Sequence, residues 1–517
     1  MIARSVVSPG SRLARRFCTA VSAQAAGGEA SASAPPPPAA KTAAESRAAT
    51  SKHRSLYRTL SGLGADAGTV AGALNQFILE GNPVRKDELV RCIKELRRFR
   101  RYQHALEVYE WLEKRKVTFS VTDHAMRLDL IAKTKGLEVA ESFFNSLDPA
   151  AKNVSTYGSM LNCYCTGLIE EKAKTHFQKM SDLNLVANSL PFNNMMGMYM
   201  RLGQPEKVSG LVDEMKQRNI SPCSVSYSIW MQSCSSLNDI DGVENVLTEM
   251  ANDSEDKSTW NTFANLAAIY TKAGLIEKAE LALKSLEEKM NPRNRDSYHF
   301  LLSLYAGTSN HSEVYRVWDT LKTSLPEVNN TSYLVMLQAL NKLNDTDGVR
   351  KLFEEWESRY RTYDMRLANL GISSYLKGDM YQEAEAVLSD AMQKCKGPFS
   401  KARQLLTIHL LKKGEAGSAL KHLEAAVSGE KKDDWNWSSE LIESFFLHYQ
   451  KTEDVDGAEE FCRILKHFRP FDSDIYTLLL KTYVAAGKTS PDMQERLEGD
   501  AIEVNDELKE LLHKVCP

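Results

Sequence analysis

The chain has 517 residues, a formal net charge of −3, 43% hydrophobic residues and 26% charged residues. That near-balance excludes a protein that draws in polyanions by a positive field over its whole surface. No apolar run approaches the roughly 18 residues of a membrane-spanning helix, so no membrane insertion is expected.

Residues 1–28 hold Arg4, Arg12, Arg15 and Arg16, many Ser and Ala, and no Asp or Glu. That is the composition of an organellar transit peptide; an unstructured basic tail is the alternative. The run RRFCTA (15–20) resembles plant mitochondrial processing sites, so a mitochondrion is the expected compartment and a chloroplast the alternative. Without those four arginines the net charge falls from −3 to −7. Residues 29–55, with Pro35 to Pro38 among Ala and Ser, read as a disordered linker. Residues 56–85 read as N-terminal capping helices.

From residue 86 one pattern recurs. In TWNTFANLAAIYTKAGLIEKAELALKSL (259–286), Phe263, Leu266, Ala267 and Tyr270 share a helical face, Gly274 interrupts, and Ala279, Leu283 and Leu286 share a second face. Neither helix can bury its stripe alone, so the unit is a helical hairpin that needs neighbours. With Phe263 as position 4, that slot falls at Leu89, His124, Tyr157, Phe192, Tyr227, Tyr298, Tyr333, Ala368, Arg403, Ile442 and Tyr476, at spacings of 33 to 39 residues and mostly 35. Sixteen residues later a small side chain returns: Ala105, Ala140, Ala173, Ala279, Ala384, Ala419 and Ala458, with valines in the other repeats. Such a residue lets two helices approach closely, so these positions are read as the helix-packing seam. Eleven full repeats over 86–472 and a half repeat at 473–487 make one quasi-linear array rather than several domains. No alternating Val/Ile/Thr runs between turn signals stand out, so the fold class is all-α. Residues 488–517 are rich in acid and outside the repeat, and read as an acidic capping helix.

The family can be argued from the repeat itself. A tetratricopeptide array has a period of about 34 and wants small residues at positions 8 and 27. Here position 8 holds Ile93, Leu128, Leu161 and Met196, and position 27 holds Leu112, Leu147, Met180 and Met215. The 35-residue period, the Tyr at position 11 (Tyr164, Tyr199, Tyr270, Tyr305, Tyr375, Tyr449) and the ending DEMKQRNISPCS (213–224) resemble the pentatricopeptide repeat instead. The opening LNQFILEGNPVRKDELVRCIKELRRFRRYQHALEVYEWLEKR (74–115) is similar to a plant, mostly mitochondrial, subgroup with pure 35-residue repeats, the P type. The resemblance implies a right-handed α-solenoid of about eleven to twelve repeats that binds single-stranded RNA and influences its processing, stability or translation.

In that family one base is read by two side chains, at position 5 and at the repeat end. The candidates the resemblance supplies here are Asn193, Ser228, His299 and Asn369 at position 5, with Asn188, Asn294, Asn329 and Asp364 at repeat ends. None of the eleven pairs, Asn193/Cys223 and His299/Asn329 among them, is a standard reading combination, and Val90 and Leu334 offer no polar group. Base-by-base reading is therefore not expected. A second candidate surface is local: residues 85–116 hold eleven Lys/Arg against six Asp/Glu, and Lys94, Arg97, Arg98, Arg100 and Arg101 surround Phe99 beside Tyr102. Basic residues interleaved with aromatics suit a nucleic-acid backbone. The alternative is a solvated face with both rings in the core.

No catalytic set is found. His422-Leu423-Glu424 matches the first half of a zinc deaminase signature, but the P-C-x-x-C half does not follow. Cys163 and Cys165 lie about 200° apart around a helix, a poor chelating pair. Nine scattered cysteines without a disulfide rhythm point to a reducing compartment. Trp435 and Trp437, in an enlarged repeat, are a contact loop or packing inside the turn. The expectation is a protein with no enzymatic activity, metal, cofactor or small-molecule substrate. Its partners are RNA, organellar ribonucleoprotein subunits or both. Two functions stay open: an RNA-binding gene-expression protein, and a structural scaffold of the mitochondrial ribosome or another ribonucleoprotein.

Overall fold

The computed structural model describes residues 56–63, 69–82, 84–253, 258–396, 399–429, 439–467 and 469–516. The basic segment 1–28, the linker 29–55, and Trp435 and Trp437 lie outside the described residues. Every regular element among those described is a helix.

The hairpin arms begin where the sequence supplies a cap. Ser120 Oγ accepts the Asp123 N–H (3.2 Å) while Asp123 Oδ2 accepts the Ser120 N–H (2.8 Å), a reciprocal box that opens helix Val121–Lys135. Asn153 Oδ1 likewise accepts the Ser155 N–H (2.9 Å) at helix Val154–Thr166, and Asp472 Oδ1 the Ile475 N–H (3.0 Å) at Ser473–Ala485. First arms end by folding the chain back on their last carbonyls. After Trp260–Lys272, the Gly274 N–H donates to Thr271 O (3.2 Å) and the Leu275 N–H to Tyr270 O (2.9 Å), with Gly274 left-handed at φ 76°. Gly203, Asn238, Asn344 and Gly414 fill the same slot at positive φ in other repeats. The second arm then packs back on the first. Ala105, Ala140, Ala173, Ala279, Ala384, Ala419 and Ala458 are all fully buried.

The described chain divides into two compact units, Met1–Leu286 and Glu287–Pro517. In the first, the first arms Val121–Lys135, Val154–Thr166, Leu190–Leu202, Ser224–Ser236 and Trp260–Lys272 stack in series, the first four each also held by their own second arm. In the second, Arg295–Tyr305, Asn330–Lys342, Met365–Lys377, Ser400–Lys412 and Ser439–Thr452 do the same, and Ser473–Ala485 ends the series against Asp506–Val515. Each unit is thus a run of helical hairpins whose core lies between neighbours.

Adjacent repeats share a polar joint that sequence reading did not anticipate. Glu244 accepts a hydrogen bond from Tyr270 Oη (2.6 Å) in the next first arm and an ion pair from Lys278 Nζ (2.8 Å) in the next second arm. Glu287 does the same with Tyr305 (2.9 Å) and Arg316 (2.6 Å), and Glu459 with Tyr483 (2.7 Å) and Arg496 (2.8 Å). Tyr270, Tyr305 and Tyr483 are therefore donors aimed at the preceding repeat, whereas the Tyr449 hydroxyl is buried without a partner.

The ends close the cores. Leu56, Leu60, Val70 and Leu74 bury themselves in the first unit's core ahead of the array. At the far end, where one capping helix was expected, the structure has two, Met493–Gly499 and Asp506–Val515. Ala501 turns left-handed (φ 54°) after the first, and Asn505 caps the second through the Leu508 N–H (2.8 Å). Acidic composition alone suggested one helix; Gly499 and Asn505 mark where it is broken.

Candidate nucleic-acid interface

The position-5 side chains lie on first arms, and the structure gives most of them partners inside the protein. Asn193 is nearly buried: its Oδ1 accepts the Ser226 hydroxyl (2.7 Å) and its Nδ2 approaches Cys223 Sγ (3.4 Å). Burial alone would raise the Cys223 thiol, but hydrogen bonds from Ser189, Ser226 and Asn193 outweigh it and hold it below its ordinary value. Ser228 Oγ is turned back onto Ser224 O (2.8 Å). His299 Nε2 meets Ser332 Oγ at 2.9 Å, and that hydroxyl in turn donates to Asn329 Oδ1 (3.1 Å), so the ring nitrogen is the donor. The pairs 193/223 and 299/329 are therefore brought together, each through a buried serine of the following repeat. Asn369 is the exception. Its Oδ1 is buried without a partner, because the residue in the slot of Ser226 and Ser332 is the fully buried Ala402.

The repeat-end residues are caps. Asn188 Oδ1 accepts the Leu190 N–H (3.0 Å), Asn294 Oδ1 the Asp296 N–H (3.1 Å), Asn329 Oδ1 the Ser332 N–H (2.9 Å) and Asp364 Oδ1 the Arg366 N–H (3.0 Å). Asp364 also pairs with the Arg366 guanidinium (2.7 Å), which lowers its pKa. Their polar identities follow from helix starts. The register of serines 33 residues after Asn193 and His299 was the readable signal for these joints.

The basic cluster is smaller than its sequence suggests. Arg97 turns inward to the buried Asp129 (2.7 Å), which Lys133 also holds (2.8 Å), so Arg97 is a structural ion pair and not part of a basic surface. Lys94, Arg98, Arg100 and Arg101 remain exposed. The reading with both rings in the core is also corrected: Tyr102 is half-buried under Lys133 Nζ (4.9 Å), but Phe99 is 60% exposed. Phe99 caps the C-terminus of Lys86–Arg98, with the Tyr57 ring 5.9 Å away between centroids and the Arg98 guanidinium 5.9 Å from its own.

Elsewhere, His422 faces the Tyr381 hydroxyl (2.9 Å), and its pKa is lowered by burial. Burial pushes the Cys163 and Cys165 thiols up to about 12. Among the described residues no group of three or more His, Cys, Asp or Glu is placed to hold a metal ion, and no helix is long and apolar enough to cross a membrane.

Stacked two-helix units joined by recurrent polar contacts define an α-helical repeat protein. The PPR repeat family pattern matches residues 187–236, and the PPR repeat matches 225–254 and 331–360. Two mitochondrial pentatricopeptide repeat-containing proteins of Arabidopsis thaliana are 62% identical, over 99% of this chain and 99% of theirs, and 59% identical, over 98% and 99%. The Arabidopsis thaliana large ribosomal subunit protein mL101 is 37% identical over 87% of this chain and 93% of its own. The crystal structure of the maize pentatricopeptide repeat protein PPR10 aligns with 84% of this chain and 66% of its own, at a TM-score of 0.44 and 18% identity. The chain belongs to the pentatricopeptide repeat family, and like its two more similar relatives it is mitochondrial.

Proposed function

We propose that this protein is a non-enzymatic component of mitochondrial gene expression that holds RNA within a ribonucleoprotein without reading it base by base. The observation that carries this reading is the commitment of Asn193 and His299 to serines of the next repeat. A base edge would have to displace a hydrogen bond already made in a buried site, which leaves little net gain. The similarity to a protein of the large ribosomal subunit agrees with a place in such a particle. Sequence-specific reading keeps one supporting feature, the unpartnered Oδ1 of Asn369, but one residue cannot specify a sequence.

Sizing of mitochondrial extracts tests this. The chain should migrate with a large particle and shift on nuclease treatment. Selection from random RNA should enrich no motif. A sharp motif of about eight or more bases, one per repeat, would overturn the proposal.

A further inference from the structure

We infer that the surface around Phe99 is an RNA contact, on whose ring an unpaired base stacks while Lys94, Arg98, Arg100 and Arg101 hold the flanking phosphates. The inference rests on the proposed function and names its contact surface.

Three observations meet here. Four exposed cations lie within eight residues, and among the described residues none of them has a carboxylate partner. Immediately beside them that is not so. Arg97 and Lys133 share Asp129, Arg127 pairs with Glu113 and Lys135 with Glu110. In a chain with excess acid, uncompensated charge at one place marks where a polyanion can replace the missing partners.

The ring is the second observation. An isolated exposed aromatic needs no explanation. This one stands among the free cations, with the Arg98 guanidinium 5.9 Å from its centroid and Tyr57 behind it. A stacking face flanked by cations is the arrangement that grips a nucleotide at both base and phosphate.

The third is rigidity. The Arg100 N–H donates to Arg97 O (3.0 Å) and the Arg101 N–H to Leu96 O (2.8 Å), with Arg100 left-handed at φ 60°. The platform is therefore set before any ligand arrives. Complementing the helix dipole accounts for Arg98 in the last turn, but not for Arg100 and Arg101 beyond it, nor for the exposed ring. An acidic protein surface would use the cations and leave the ring idle, so RNA with unpaired bases is the better fit.

The experiment uses the purified full chain and two RNAs of equal length, one a hairpin with an unpaired loop and one fully duplex. Phe99→Ala should weaken loop binding about tenfold and leave duplex binding unchanged, and Phe99→Tyr should restore it. Changing Arg98, Arg100 and Arg101 together to Gln should weaken both RNAs and flatten the salt dependence by about 0.7 per lost single-strand contact. Arg100→Gly relieves the left-handed conformation, so its folding is secure, and it should still lose affinity. If the wild type binds RNA and these variants bind equally well, this surface is not the contact and the proposed function survives. If the wild type binds neither RNA, both fall. If polyglutamate competes with equal strength and Phe99→Ala weakens it as much as RNA, the surface docks an acidic protein and the inference is overturned.

Discussion

The Asn193 amide lies between Cys223 and Ser226, and its chemistry there is that of a joint. Asn193→Ala should leave the buried Ser226 hydroxyl without its acceptor and cost about 1–2 kcal/mol, with RNA preference unchanged. Urea unfolding of Asn193→Ala, Ser226→Ala and the double variant measures this. The coupling between the two sites should be well above zero, and strict additivity would contradict the joint. Arg97 makes a parallel case. Arg97→Gln leaves Asp129 with Lys133 alone, which should cost about 1–3 kcal/mol in unfolding free energy. The salt dependence of RNA binding should stay as in the wild type; a flattened slope would return Arg97 to the basic surface. At this scale the sequence was half legible. It showed that Asn193, Arg97 and Asn329 are polar and where they recur. It did not show which way each faces, because a polar group in a repeat slot can meet solvent or a hydroxyl 33 residues on with the same periodicity. The caps were open to reading, since Ser120, Asn153 and Asp472 stand just before apolar-periodic runs.

Among elements, the Glu–Tyr–Lys/Arg joints at Glu244, Glu287 and Glu459 tie second arms to the helices that follow them. Burial alone would raise the pKa of Glu244, but hydrogen bonds from Lys278 and Tyr270 outweigh it and hold it below the ordinary 4.5. A carboxylate with a depressed folded pKa adds stability above its unfolded value, and that stability is lost as pH falls through the folded one. Unfolding midpoints should therefore drop as pH falls below about 4.5, and Glu244→Gln should drop less over the same window. An equal drop in both proteins would remove the joint from the account of acid sensitivity. The Tyr at position 11 was visible as a family mark, and its acceptor was partly so: Glu244 and Glu459 each follow a seam residue, Val243 and Ala458, but Glu287 stands in a later slot of its repeat.

For the molecule as a whole, the period was the most legible feature, since small residues sixteen positions after each of the first eleven markers are all buried. Repeats hold one another, so damage at one seam spreads. Ala279, the expected seam residue of its hairpin, is fully buried on helix Ile276–Lys289. Ala279→Trp should overpack that seam, cost about 1–3 kcal/mol or more, and lower hydrogen-exchange protection across residues 224–286. Protection lost only next to the substitution would show that neighbouring hairpins do not share their stability. The break near Ala501 had signals that composition alone passed over: Gly499 ends one apolar run and Asn505 stands just before the next, Leu508, Leu511 and Val515.

The hydroxyl link between Asn193 and Ser226 also bears on descent. Where recognition residues stand free, a lineage can change one and gain a new target while the scaffold stays intact. Here a change at Asn193 loosens the array unless Ser226 changes with it, so inheritance should carry the two residues as a pair. Ala402 removes that bond in its own repeat, so drift at Asn369 meets less resistance than at Asn193.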